Sequence, residues 1–153
     1  MSFLNELINS ENDEILREEL HERVEIITHK IKFMDKVPVV CLDTTNTHNL
    51  LFANEINAAG GMLDTDILGA VYLIYYELGK TLNDLMREVP ALIDAEWPAL
   101  KNGRIVLLSD DSKDERKITD TVMLVEDFAE MLHPGSFIFG FEGEKWIRFG
   151  VNN

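Results

Sequence analysis

The chain has 153 residues, 46% hydrophobic and 27% charged, enough apolar side chain for one buried core with little room for a second. Lys and Arg number 14 against 28 Asp and Glu, a formal net charge of -14 with neutral histidines, and such a field repels phosphate backbones and anionic membranes, weighing against nucleic-acid binding. The single cysteine, Cys41, excludes an intrachain disulfide and a multi-cysteine metal knot.

The opening stretch, MSFLNELINSENDE, has neither the basic flank nor the apolar run of a secretory signal, so the chain reads as a cytoplasmic protein without membrane insertion. Residues 13–35 are predicted to form a long helix, because Leu20, Val24, Ile27, Ile31 and Met34 recur at helical spacing between charged positions. One apolar stripe on so long a helix either lies across the domain's own sheet or, through Leu20, Val24, Ile27 and Ile31, meets a second subunit. Pro38 leads into Val39–Leu42, a continuous apolar run of the kind found in a parallel strand buried on both faces. The loop 44–49, TTNTHN, follows, and then a helix over Leu50–Ala59 that stops at Gly60 and Gly61.

The stretch Ile67–Leu78 is apolar almost throughout, and periodicity leaves helix and strand equally open. A helix over Leu82–Val89 should end near Pro90, with Ala91–Ile93 a short strand remnant. The turn at Lys101, Asn102 and Gly103 introduces a second buried strand, Arg104–Leu108. Val122, Val125, Phe128, Ala129 and Leu132 mark a last helix closing at His133, Pro134 and Gly135, where a protonated imidazole would favour the helix dipole. The aromatic tail Phe137–Phe149 has a turn at Glu142, Gly143 and Glu144 and reads as a short hairpin. The elements add up to a single domain over 1–153, in which the long helix precedes an α/β lobe over 37–149. The expected fold is a three-layer, Rossmann-like α/β domain with a small, mainly parallel sheet.

Four segments in this order, HERVEIITHKIKFMDKVPVVCLD, NEINAAGG, WPALKNGRIVLLSDD and VEDFAEMLHPGSF, resemble the carboxy-terminal lobe of the cobalamin- and iron-siderophore-type periplasmic binding proteins of ABC importers. The resemblance covers about residues 20–140 and implies a long helix leading into the second of two α/β lobes that clamp a ligand between them. The chain departs from that family in lacking an export signal and an amino-terminal lobe, so half a cleft is what the resemblance implies.

Ligands of open parallel sheets sit beyond the carboxyl ends of the strands. Two loops fall there: Asp43, Thr44, Thr45, Asn46, Thr47, His48 and Asn49 after the first strand, and Ser109, Asp110 and Asp111 after the second. Their short polar side chains suit ligand contact and equally suit helix and loop capping, and His48 alone exceeds what capping requires. No compact metal-ligand spacing is present, and Cys41 lies inside an apolar run where a thiol behaves as a small hydrophobe. No residue is assigned a catalytic role and no cofactor is identified.

The expected function is therefore a non-enzymatic cytoplasmic binding or interaction domain, assembled as a homodimer. One alternative is that two copies share a cleft for a small neutral or cationic ligand, such as a corrinoid or metal chelate. The other is a small enzyme, for instance a hydrolase, using the acidic strand-end edge.

Overall fold

The computed structural model describes residues 2–110 and 117–149. Five strands, β1 (Val37–Leu42), β2 (Gly61–Leu63), β3 (Tyr72–Tyr75), β4 (Ile105–Leu108) and β5 (Trp146–Phe149), form one sheet in the order β2-β1-β3-β4-β5. The first four run parallel, with Val39 opposite Tyr72 and Leu73 opposite Ile105, and β5 returns antiparallel with Ile147 opposite Leu107. This is the expected α/β class with a mainly parallel sheet.

Side-chain alternation divides the sheet between two cores. Val39, Cys41, Tyr72, Ile74, Val106 and Leu108 join one apolar cluster, whereas Val40, Leu42, Leu73, Tyr75, Ile105 and Leu107 join the other. Burial on both faces is the reason these strands read as continuous apolar runs instead of alternating ones. The first core is covered by α1 (Ser2–Asn9), α2 (Glu14–Ile31), α3 (Ala53–Ala58) and α6 (Ile118–Leu132). The second is covered by α4 (Leu82–Glu88), α5 (Pro98–Lys101) and the 3-10 turns Ile67–Gly69 and Val89–Ala91.

The long helix α2 starts where Asp13 accepts hydrogen bonds from the amides of Ile15 and Leu16 at 3.1 and 3.2 Å. His29 and Lys30 in its last turn complement the helix dipole. The helix ends at Ile31, short of the expected Asp35, and leaves Phe33 and Met34 exposed. Leu20, Val24 and Ile27 are buried inside the chain's own first core, with Ile31 packed against it. The expectation that this stripe meets a second subunit is thereby corrected: three of its side chains have no surface left to offer, because α2 packs on α6 and α1. Helix α1 escaped the sequence reading, yet Leu4 and Ile8, four residues apart, are wholly buried beneath it.

The ambiguous middle resolves into pieces shorter than either expectation. Ile67–Gly69 is a 3-10 turn and Tyr72–Tyr75 a strand, so one apolar run supplies both. Helix α3 occupies only six of the ten residues expected over Leu50–Ala59, and Gly61 opens β2 instead of ending a helix. Gly60 does end it, at φ 88°, and a Cβ there would lie 2.6 Å from His133 Nε2. Ala91–Ile93 holds no strand; Val89–Ala91 winds into a 3-10 turn around Pro90. The expected tail hairpin is also corrected. Its only described strand is β5, which pairs with the buried edge of β4, because Trp146 needs the core that a free hairpin could not give it.

Candidate functional site

In the order β2-β1-β3-β4 the chain moves outward from β1 to β2 and then crosses back to β3, so the loops leaving β1 and β3 diverge at the carboxyl edge. Such a reversal point is where open α/β sheets make room for ligands. Asp43–Asn49 leave β1 at this point, and Ser109 and Asp110 leave β4 two strands away, about 10 Å across the sheet at the usual strand spacing. Asp111 lies outside the described residues. The two loops share one edge and are joined through a third, the segment following β3, which the sequence reading did not single out.

The polar groups of the first loop are engaged partly within it and partly with neighbouring segments. Asp43 accepts hydrogen bonds from the Thr45 amide at 2.8 Å, the Thr45 hydroxyl at 2.7 Å and the Thr47 amide at 3.1 Å. Partial burial would raise the Asp43 carboxyl, but these hydrogen bonds outweigh it and hold the group below the ordinary aspartate value. Asn46 takes the left-handed backbone conformation, φ 57°, which asparagine tolerates better than most residues. Its side chain is a bridge: the Tyr75 hydroxyl donates to Oδ1 at 2.8 Å, and Nδ2 donates to the Leu92 carbonyl at 2.9 Å. Burial raises the Tyr75 phenol well above its usual range, so it remains a donor at any physiological pH.

Glu77 links this loop to the next, accepting from the Thr44 amide at 3.1 Å and the Thr44 hydroxyl at 2.5 Å. Asp110 then closes the series, accepting from the Gly79 amide at 2.6 Å while its own amide donates to the Lys80 carbonyl at 2.9 Å. Asn49 accepts from the Leu51 amide at 3.0 Å. His48 is exposed and touches the sheet through its backbone, as an isolated bridge partner of Leu42. The edge is therefore a rigid polar rim. Glu77 and Tyr75 could have been found in the sequence only by settling the helix-or-strand question over Ile67–Leu78 in favour of a strand ending near Tyr75.

Beside the rim, at the β4 and β5 end, lies a shallow open depression of about 440 Å³, bordered by Thr81 and Asn83 at the start of α4, by Ser109 and by Gly143 and Glu144. Among the described candidate residues, Ser109 alone borders it. β3 separates the ends of β1 and β4, so His48 and Ser109 stand on non-adjacent strands. Cys41 is buried, and burial first and Asp43 second push its thiol up to about 12, which keeps it protonated and unreactive. Among the described residues no group of three or more His, Cys, Asp and Glu side chains is arranged to hold a metal ion. Among them, too, no helix is long and apolar enough to cross a membrane.

His133 departs from expectation. Its Nε2 lies 3.0 Å from the Ala59 carbonyl, and burial lowers its affinity for a proton despite that contact. The ring is a neutral donor tying α3 to α6, in place of the charged partner expected for the helix dipole.

No protein family and no curated protein matches the sequence. Solved structures do match the fold. An ABC transporter substrate-binding protein from Listeria monocytogenes EGD-e superposes with a TM-score of 0.62 at 12% identity, over 77% of this chain and 55% of its own. A periplasmic binding protein from Veillonella parvula dsm 2008 gives 0.56 at 15% identity, over 76% and 48%. The expectation of a cytoplasmic protein is corrected by these likenesses, one of which is by name a periplasmic binding protein and the other an ABC transporter substrate-binding protein. The chain spans about half the length of the solved structures it matches, and what it shares with them is a periplasmic-binding-protein-like α/β fold.

Proposed function

We propose that the chain is a non-enzymatic binding domain, similar to the carboxy-terminal lobe of a substrate-binding protein, whose carboxyl edge is half of a binding cleft. The observation that carries this reading is the reversal of strand order between β1 and β3, with Asp43–Asn49 and Ser109–Asp110 on one rim, in a fold matching about half of each relative. Because polar groups of the rim already satisfy one another, it is preorganised, and His48 offers an exposed side chain for contact. The net charge of -14 favours a neutral or cationic ligand, of the corrinoid or metal-chelate kind. Titration of the 15N-labelled chain with cobalamin and with a ferric chelate tests this. Shifts concentrated in residues 43–49, 77–80 and 109–110 are expected; shifts confined to other surfaces, or none with either compound, would remove the binding-edge reading.

A second copy of the chain as the opposite wall is the companion reading. It is supported by Leu50, Leu51 and Leu78, which follow β1 and β3 on this rim and are 58%, 63% and 76% exposed. Sedimentation equilibrium at micromolar concentration should then show a dimer that Leu78→Glu dissociates. A monomer at all concentrations would discard it.

A further inference from the structure

Helix α6 carries an unusual row for a core helix: Glu126, Asp127 and Glu130 are 4%, 2% and 9% exposed. Two of the three are satisfied. Arg23 of α2 pairs with Glu126 at 2.5 Å, and Glu130 accepts from the amides of Phe139 and Gly140. Asp127 is the exception: the indole of the fully buried Trp146 faces it, yet neither Asp127 Oδ1 nor Trp146 Nε1 makes a well-formed hydrogen bond within the described residues. The segment from Ser136 to Trp146 lies over this helix and is tied down at several points. Lys30 donates to the Ser136 carbonyl at 2.8 Å and the Phe139 and Gly140 amides donate to Glu130, while just beyond the segment Arg148 of β5 donates to the Met131 and Glu130 carbonyls at 3.2 and 3.3 Å.

We propose that residues 136–146 form a strap over α6 and that Asp127 is its proton-dependent latch, closed when the carboxyl is protonated and loosened when it ionises. An ionised Asp127 would be a buried charge beside two other carboxylates, which the packing tolerates only by admitting water under the strap. The groups facing it are Glu126 and Glu130 from α6, with Arg23 reaching Glu126 from α2, and Lys145 and Trp146 from the strap. Burial raises the carboxyl most, Glu126 and Glu130 push the same way, and Lys145 and the indole N–H oppose them, leaving the proton held to about pH 7. The switch therefore sits near neutrality. Gly143 and Glu144 of the strap wall the depression beside Ser109, so loosening it changes the carboxyl edge without touching Asp43–Asn49. The latch follows from these contacts and stands apart from any ligand reading.

The test is NMR of the full chain from about pH 5.5 to 8.5. The Asp127 carboxyl carbon and the Trp146 indole N–H should titrate together with a midpoint of about 7, and amide exchange over residues 137–146, corrected for intrinsic rates, should rise about tenfold above it. Asp127→Asn should hold the strap at its acid-side protection throughout. A carboxyl carbon that finishes titrating below about pH 5, or a neutral titration that leaves strap exchange unchanged, overturns the proposal. If Asp127→Asn fails to fold, the wild-type carboxyl and exchange profiles decide it unaided.

Discussion

The loop after β1 and the carboxyl half of α6 are two polar clusters that solve opposite problems. In the loop, Asp43 is partly open to solvent and collects three hydrogen bonds, so ionisation is favourable and the loop is held by it. On α6, Asp127 is shut away from water with an unpartnered oxygen and two carboxylate neighbours, so the proton is retained. The same side chain is a brace in one place and a latch in the other. Residue type did not decide this; solvent access and the supply of N–H donors did.

The largest effect that would break the comparison is on pH dependence. The folded chain holds the Asp127 proton to about pH 7, whereas an unfolded aspartate releases it near 3.8, so its contribution is fully present below the lower value and is lost as pH rises to the upper one. At about 1.4 kcal/mol per unit this amounts to on the order of 4 kcal/mol. Urea denaturation across that range should show the decline in the wild type, and Asp127→Asn should flatten it and be the more stable protein at about pH 8.

Next in size is the neighbouring ion pair. Arg23→Ala strands the buried Glu126, and because Arg23 is itself one-quarter exposed the expected loss is about 2–3 kcal/mol, read from the denaturation midpoint. A loss within about 0.5 kcal/mol would mean that Glu126 finds water, and α6 would no longer contrast with the loop. Asp43→Ala removes the acceptor for three donors and should cost about 1–2 kcal/mol, with amide exchange accelerating over residues 43–49 first. Tyr75→Phe breaks the bridge to Asn46 and Leu92 at a cost of about 1 kcal/mol, and should loosen the same loop without disturbing the strap. The smallest effect belongs to His48→Ala. An exposed side chain on a rim should change stability by no more than about 0.5 kcal/mol, and a loss like that of a core leucine would make His48 structural.

Much of the frame was legible before the structure. The spacing of Leu20, Val24 and Ile27 predicted a helix and its buried face, and the runs Val39–Leu42 and Arg104–Leu108 predicted strands covered on both sides. The loops leaving β1 and β4 were placed at the carboxyl edge from sequence, because a loop after a buried parallel strand must emerge there. What failed were short elements: α1, β2 and α5 have eight, three and four residues, too few for a period to declare itself. The stripe on α2 left its own sheet and a second subunit both open, since a helical period names a buried face without naming what buries it, and the structure fills it with the chain's own core.

Composition, apolar periodicity and turn residues by themselves determined an acidic α/β chain with a long leading helix and buried parallel strands, because these are local properties that any fold must respect. Only tertiary structure decided that β5 turns back against β4, that Glu77 and Tyr75 belong to the rim, and that Asp127 is sealed under Trp146. Those outcomes depend on pairings across 29 to 33 residues at the rim and on which helix covers which face of the sheet. A carboxylate's behaviour depends on the water and the donors around it, and neither is written in its neighbours along the chain.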